Sequence, residues 1–244
     1  MERKKYIRIR IILISLALLI CGSSRSEYSE RIYSAYITGD MNEWENVINE
    51  IEEQETLTIR EKKELLEYYY GYVGFLLGEG KNSGAKKYIT KADDLIYRLE
   101  NSGSSDAMVL ACKGIFLGYK MNLSRIKTPV LGPMCMKYIN KAYETDPENI
   151  QAIADKGHML YNAPSLFGGD KKEGIIYLER AVKKLEDTGT AKGNWMYLNI
   201  LTGLAQYKNS MGDRQGAIDT YEKIIAFEPD YVWVRDELYP ELQK

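Results

Sequence analysis

His158 is the only histidine in the chain, so acid–base or metal chemistry near neutral pH would turn first on its surroundings. One helical turn away stand Asp155 and Asn162, with no cysteine and no second histidine at ligand spacing. A metal site needs three or four donors, so His158 reads as a packed or surface residue, and neither metal nor cofactor is expected. The adjacent acids Glu52-Glu53 and Asp93-Asp94 point about 100° apart on a helix and form a solvated face. Gly168-Gly169-Asp170 ahead of a helix could hold an anion on backbone amides. It lacks the lysine and glycine spacing of a phosphate loop and reads instead as a capped turn. No local constellation suits nucleophilic or paired-carboxylate catalysis, and no enzymatic activity is expected.

Tyrosine is the stronger signal. The chain has 20, and most of those beyond Tyr6 fall on the first helices of the pairs described next. Tyrosine offers a large contact area with a polar tip, which suits a peptide or ligand groove. The expected partner-binding set is Tyr33, Tyr36, Tyr69, Tyr72, Tyr119, Tyr161, Phe167 and Trp195. Tyr68-Tyr69-Tyr70 spans about 200° of a helix surface, which predicts that the three are not all buried.

These residues are positioned by a pattern that recurs five times: one residue, an apolar one four on, another three on. It reads Trp44-Ile48-Ile51, Ala85-Ile89-Ala92, Cys135-Ile139-Ala142, Gly174-Leu178-Ala181 and Ala217-Tyr221-Ile224. The spacing keeps each triplet on one helix face, and small members let helices approach closely. Glycine stands five residues earlier in four units, followed by aspartate in three: Gly39-Asp40, Gly169-Asp170 and Gly212-Asp213. Glycine suits the left-handed end of one helix, and aspartate caps the next. The pattern predicts an all-α rod of helical hairpins: 27–38 with 41–54, 57–78 with 82–100, 105–122 with 133–145, 149–162 with 171–186, and 194–210 with 214–227. A segment at 230–239 caps the stack. Asn122 to Pro133 breaks the repeat, and its apolar residues predict a loop folded back on the scaffold.

Residues 1–24 read as a secretory signal peptide: five basic residues against one acid, the apolar run 11–20, then Cys21-Gly22-Ser23-Ser24. Leu18-Leu19-Ile20-Cys21 is similar to a lipoprotein box except at Ile20. Both ordinary cleavage and lipidation at Cys21 place the protein outside the cytoplasm, in the periplasm, at the envelope or secreted. Residues 25–244 then form a single domain. Beyond residue 21 the chain holds 28 basic and 34 acidic residues, a net charge of −6, which disfavours nucleic acid and anionic membrane as partners. Membrane contact is expected only through an anchor at Cys21 or a partner protein. Cys112 and Cys135 fall on the two helices of one hairpin, as a disulfide or as two small buried residues.

The last unit, Leu204-Ala205…Gly212-Asp213…Ala217…Tyr221…Ile224…Pro229, resembles a tetratricopeptide repeat. The third ends similarly, in Ala142…Asp146-Pro147. The units are 41, 50, 39 and 43 residues apart, so the repeats are divergent from the family's 34. The resemblance implies a right-handed α-α superhelix of about five hairpins with a C-terminal cap, binding a protein or peptide on its concave face as a non-catalytic scaffold, with homo-oligomers also compatible. Asn162-Ala163-Pro164-Ser165-Leu166-Phe167-Gly168-Gly169-Asp170, with Trp195…Leu198 and Trp233-Val234-Arg235-Asp236…Pro240, resembles exported repeat proteins of Bacteroidetes-type bacteria. Its Pro-x-x-x-Gly-Gly-Asp segment is also similar to the periplasmic T-component of TRAP-type transporters. That likeness implies the alternative, a solute-binding accessory with an enclosed cavity near Tyr161, Phe167 and Trp195.

Overall fold

Every residue of the five triplets is buried, and each triplet lies on the second helix of a hairpin. The computed structural model describes residues 27–244; the signal peptide expected at 1–24, with Cys21, lies outside the described residues. The fold is all-α, with no strand among the described residues. Helix α1 (27–38) pairs with α2 (Met41–Glu52), α3 (Ile59–Gly78) with α4 (Asn82–Asn101), and α5 (Ala107–Leu123) with α6 (Thr128–Thr145). Then α7 (Ile150–Asn162) pairs with α8 (Lys171–Asp187), and α9 (Trp195–Ser210) with α10 (Arg214–Phe227). A π-helical turn, Val234–Leu238, and α11 (Tyr239–Gln243) close the chain against α10. None of the described helices is long and apolar enough to cross a membrane.

The caps follow the sequence logic. Asp40 and Asp213 accept hydrogen bonds from Glu43 N and Gly216 N, and Asp170 accepts from both Lys172 N and Glu173 N. Each satisfies amides that the first turn leaves open. One glycine differs from expectation. Gly168, at φ +82°, carries the left-handed backbone of the fourth turn. Gly169 is needed for another reason, since a Cβ there would lie 1.9 Å from Ala163 O.

The helices pair tightly because first helices also carry glycine. A Cβ on Gly114 of α5 would lie 2.5 Å from Ile139 of α6, and one on Gly157 of α7 2.9 Å from Gly174 O of α8. First helices also line up with one another, α3 against α5 and α5 against α7.

Two expectations are corrected, and one feature goes beyond them: the array curves until its ends meet. Tyr36 of α1 packs on Trp195 of α9 at 5.7 Å between ring centroids and accepts a hydrogen bond from Asn199 Nδ2 at 3.2 Å, while Tyr33 O–H donates to Glu228 at 2.7 Å. Tyr68, Tyr69 and Tyr70 are all buried, because α3 packs against three helices, α2, α4 and α5. Finally, the long loop expected at 122–133 is a three-residue 3-10 turn, Arg125–Lys127, between α5 and an α6 that begins at Thr128. Pro129 stands in the first turn of that helix, where a missing N–H costs nothing. Leu123 and Leu131 pack inward, but Ile126 and Val130 are exposed.

Candidate functional site

The inner side of the closed array is filled by aromatic rings. Trp195 meets Trp44 edge-on at 5.0 Å, Tyr36 at 5.7 Å and Tyr70 at 6.3 Å, and Tyr231 closes on Tyr36 at 5.2 Å. Trp44 Nε1–H donates to Tyr68 O at 3.1 Å, so the buried indole leaves no orphan donor. Tyr119 O–H donates to Tyr70 O at 3.2 Å. Gly71 makes this possible, since a Cβ there would lie 2.7 Å from Trp44 and 2.9 Å from Trp195. Of the expected partner-binding set, Trp195 is therefore a member of the core, and Tyr36 and Tyr119 pack half-buried against it.

Beside these rings lies one fully buried carboxyl, Asp155 of α7. Gln151 Nε2–H donates to it at 2.7 Å and Tyr70 O–H at 3.4 Å. Burial outweighs both and pushes its pKa up to about 7. Gln151 Oε1 is buried without a donor, and a protonated Asp155 carries the kind of O–H it lacks.

Cys112 and Cys135 are free, buried thiols, the second of the two arrangements considered from sequence. They belong to different clusters: Cys112 to the main core, Cys135 to one with Leu117, Ile139 and Met159. Burial raises both pKa values, that of Cys135 to about 11. Alkylation at pH 8 is expected to be at least tenfold slower in the native protein than in denaturant, with two thiols counted after unfolding. A mass two hydrogens short would show a bridge instead.

Tyr161, Phe167 and Trp195, expected around one cavity, are not brought together. Tyr161 stacks flat on Tyr207 at 3.6 Å, twelve residues and so about 18 Å along α9 from Trp195. Phe167 is exposed on the turn before α8. His158 hydrogen-bonds Tyr207 through Nδ1 at 3.0 Å, and Asn162 Nδ2–H donates to the same phenol at 2.7 Å. Burial lowers the His158 pKa to about 4, so the ring is neutral at pH 7. The arrangement is a packed hydrogen-bonded joint between α7 and α9. No group of three or more metal-ligating side chains occurs among the described residues.

Of the remaining members, Tyr33 lies on α1 against Glu228, and Tyr69 and Tyr72 sit where α2 faces α4 across α3. Two open clefts of about 430 and 520 Å³ follow that line. Tyr69 lines the first, with Glu52, Lys62, Lys91 and Arg98. Tyr72 lines the second, with Phe75, Lys81, Lys87 and Tyr88. Tyr69 O–H donates to Glu52 at 2.5 Å, while Tyr72 and Tyr88 both donate to Glu45, at 3.0 and 2.6 Å. Those phenols, Tyr88 first, hold the Glu45 carboxyl below its ordinary pKa. Lys91 Nζ ties α4 to Glu52 of α2 at 2.7 Å.

A common arrangement recurs among these tyrosines. The ring packs on or in the core and the hydroxyl reaches a rim glutamate, as also in the half-buried Tyr33 with Glu228 and the buried Tyr197 with Glu186. The sequence reading missed the glutamate half of these pairs. No protein-family model matches the chain, and no curated protein matches its sequence.

Proposed function

We propose that this is an exported, non-enzymatic binding scaffold of tetratricopeptide-like hairpins, and that it takes an extended protein segment in the groove between α2 and α4. The observation that carries this reading is the contrast between two faces. The inner face is occupied by the protein's own rings, and a ligand there would have to separate Trp195 from Trp44 and Tyr36. The outer groove is open, with the buried rings of Tyr69 and Tyr72 fixed beneath it, and edged by both signs of charge. A groove whose base is held by packing loses little entropy on binding, and paired charges at the rim set register more than affinity.

Thr56 and Asn42 are exposed and line the two clefts, so bulky replacements fill the groove without touching the core. Thr56→Trp with Asn42→Trp is expected to leave the thermal midpoint within about 2 °C, since exposed substitutions are worth about ±0.5 kcal/mol. Envelope proteins cross-linked to the wild-type chain in its host are expected to fall at least tenfold with this variant. Undiminished capture would remove the groove as the binding site.

A further inference from the structure

The third and fourth hairpins carry an addition that the others lack. The other connections turn on Gly39, Gly80 and Gly212 alone, and the fourth keeps a left-handed glycine, Gly168. Each of these two holds a 3-10 turn with an apolar tip: Ile126 in Arg125–Lys127, and Leu166 with Phe167 in Ser165–Phe167. Ile126 is 88% exposed, Leu166 87% and Phe167 58%. Both turns join the end of a first helix to the start of a second, and α5 and α6 both pack on α7. A Cβ on Gly168 would lie 4.0 Å from Met136 of α6, so the two tips share one edge of the array.

The charge beside them is not that of the whole chain. Residues 107–143 contain six lysines and arginines and no aspartate or glutamate. Lys113 and Lys120 are paired, with Glu100 and Asp93. Arg125 and Lys127, which flank Ile126, pair with no carboxylate among the described residues. Lys171 and Lys172 follow the second tip and are exposed. The acids of that connection are Asp170 and Glu173, and Asp170 is turned into the cap of α8.

We infer that this edge docks on an anionic lipid surface, with Ile126, Leu166 and Phe167 entering the headgroup boundary and the flanking cations meeting the headgroups. Apolar tips beside unpaired basic residues are the composition of an interfacial anchor. The side chains protrude singly instead of lining a groove, and a fluid bilayer accepts such tips without matching their shape. A two-fold contact between copies would set Arg125 and Lys127 close to their own equivalents, which like charge opposes. The net charge of −6 beyond residue 21 conceals this edge because the acids lie elsewhere.

The test uses the protein as processed by its host, with Cys21→Ser to exclude a lipid there. Co-sedimentation is measured with vesicles of phosphatidylcholine, alone and with 30% phosphatidylglycerol. Binding is expected only with the anionic lipid, and is expected to weaken between 0.1 and 0.5 M NaCl. Ile126→Ser, Leu166→Ser and Phe167→Ser together are expected to lower the partition at least tenfold with an unchanged thermal midpoint, since all three are exposed. No partition into anionic vesicles, or equal partition of the variant, would overturn the inference. So would a dimer that the triple variant dissolves, which would assign the edge to a second copy.

Discussion

Replacing Trp195 with alanine is expected to cost about 3–5 kcal/mol of unfolding free energy, the range for deleting a buried tryptophan side chain. Trp195 is 6% exposed and touches rings from three other helices: Tyr36 of α1, Trp44 of α2 and Tyr70 of α3. It is the point at which the last hairpin meets the first two. Its loss leaves a cavity that α1 and α9 cannot both collapse into, because Gly71 already brings the α3 backbone against the neighbouring rings. Urea unfolding should therefore show a midpoint shift. Amide exchange should rise in α1 before it rises in α5 to α8. A loss below about 1 kcal/mol, or exchange raised evenly along the chain, would mean that Trp195 packs without holding the ends together.

That closure is also what the sequence conceals. The triplets are legible because each recurs within eight residues at helical spacing, and the capping aspartates are legible because they act two or three residues away. Contacts such as Tyr33 with Glu228, Tyr36 with Asn199 and Trp44 with Trp195 join residues of the first hairpin to residues of the last. Nothing local marks them. The consequence was a misplaced groove: first-helix tyrosines suggest a concave lining, but closure turns that lining into core. One legible signal went unused. Gly71, Gly114 and Gly157 recur every 43 residues on first helices, and each marks a close approach. For Gly71 the approach is to two tryptophans 151 residues apart, which is the closure itself.

The glutamates at the tyrosine tips were hidden for a related reason. Glu45 and Glu52 of α2 serve tyrosines of α3 and α4, and Glu228 serves α1. A rim acid looks the same in sequence whether it meets solvent or a phenol. The 3-10 turn at Arg125–Lys127 likewise reads in sequence as part of a long apolar loop, because Ile126 and Val130 are the kind of residues that usually pack. Their exposure is visible only once α5 and α6 are placed.

Asp155→Asn is expected to stabilise the protein at pH 8 by up to about 4 kcal/mol, an upper bound from a folded pKa of about 7 against 3.8 for the ordinary carboxyl. The sign follows from proton counting. Between pH 4 and 7 the folded state keeps the Asp155 proton and the unfolded state has lost it, so this group's contribution is fully present below pH 4 and lost as pH rises to 7. Asparagine removes that loss and brings an N–H for the orphan Gln151 Oε1. His158, one turn along α7, acts in the opposite sense. Its folded pKa is near 4 against 6.5, so its contribution is present above pH 6.5 and lost as pH falls to 4. In the wild-type chain the two slopes oppose each other between pH 4 and 6.5, and these two residues together leave little pH dependence there. In the asparagine variant the histidine slope stands alone. The difference in unfolding free energy between variant and wild type should be small at pH 4, grow to pH 7, and stay level beyond it. A difference that is the same at pH 4 and pH 8 would show that Asp155 ionises in the core at its ordinary pKa, and that the centre of the array is wetter than its packing indicates.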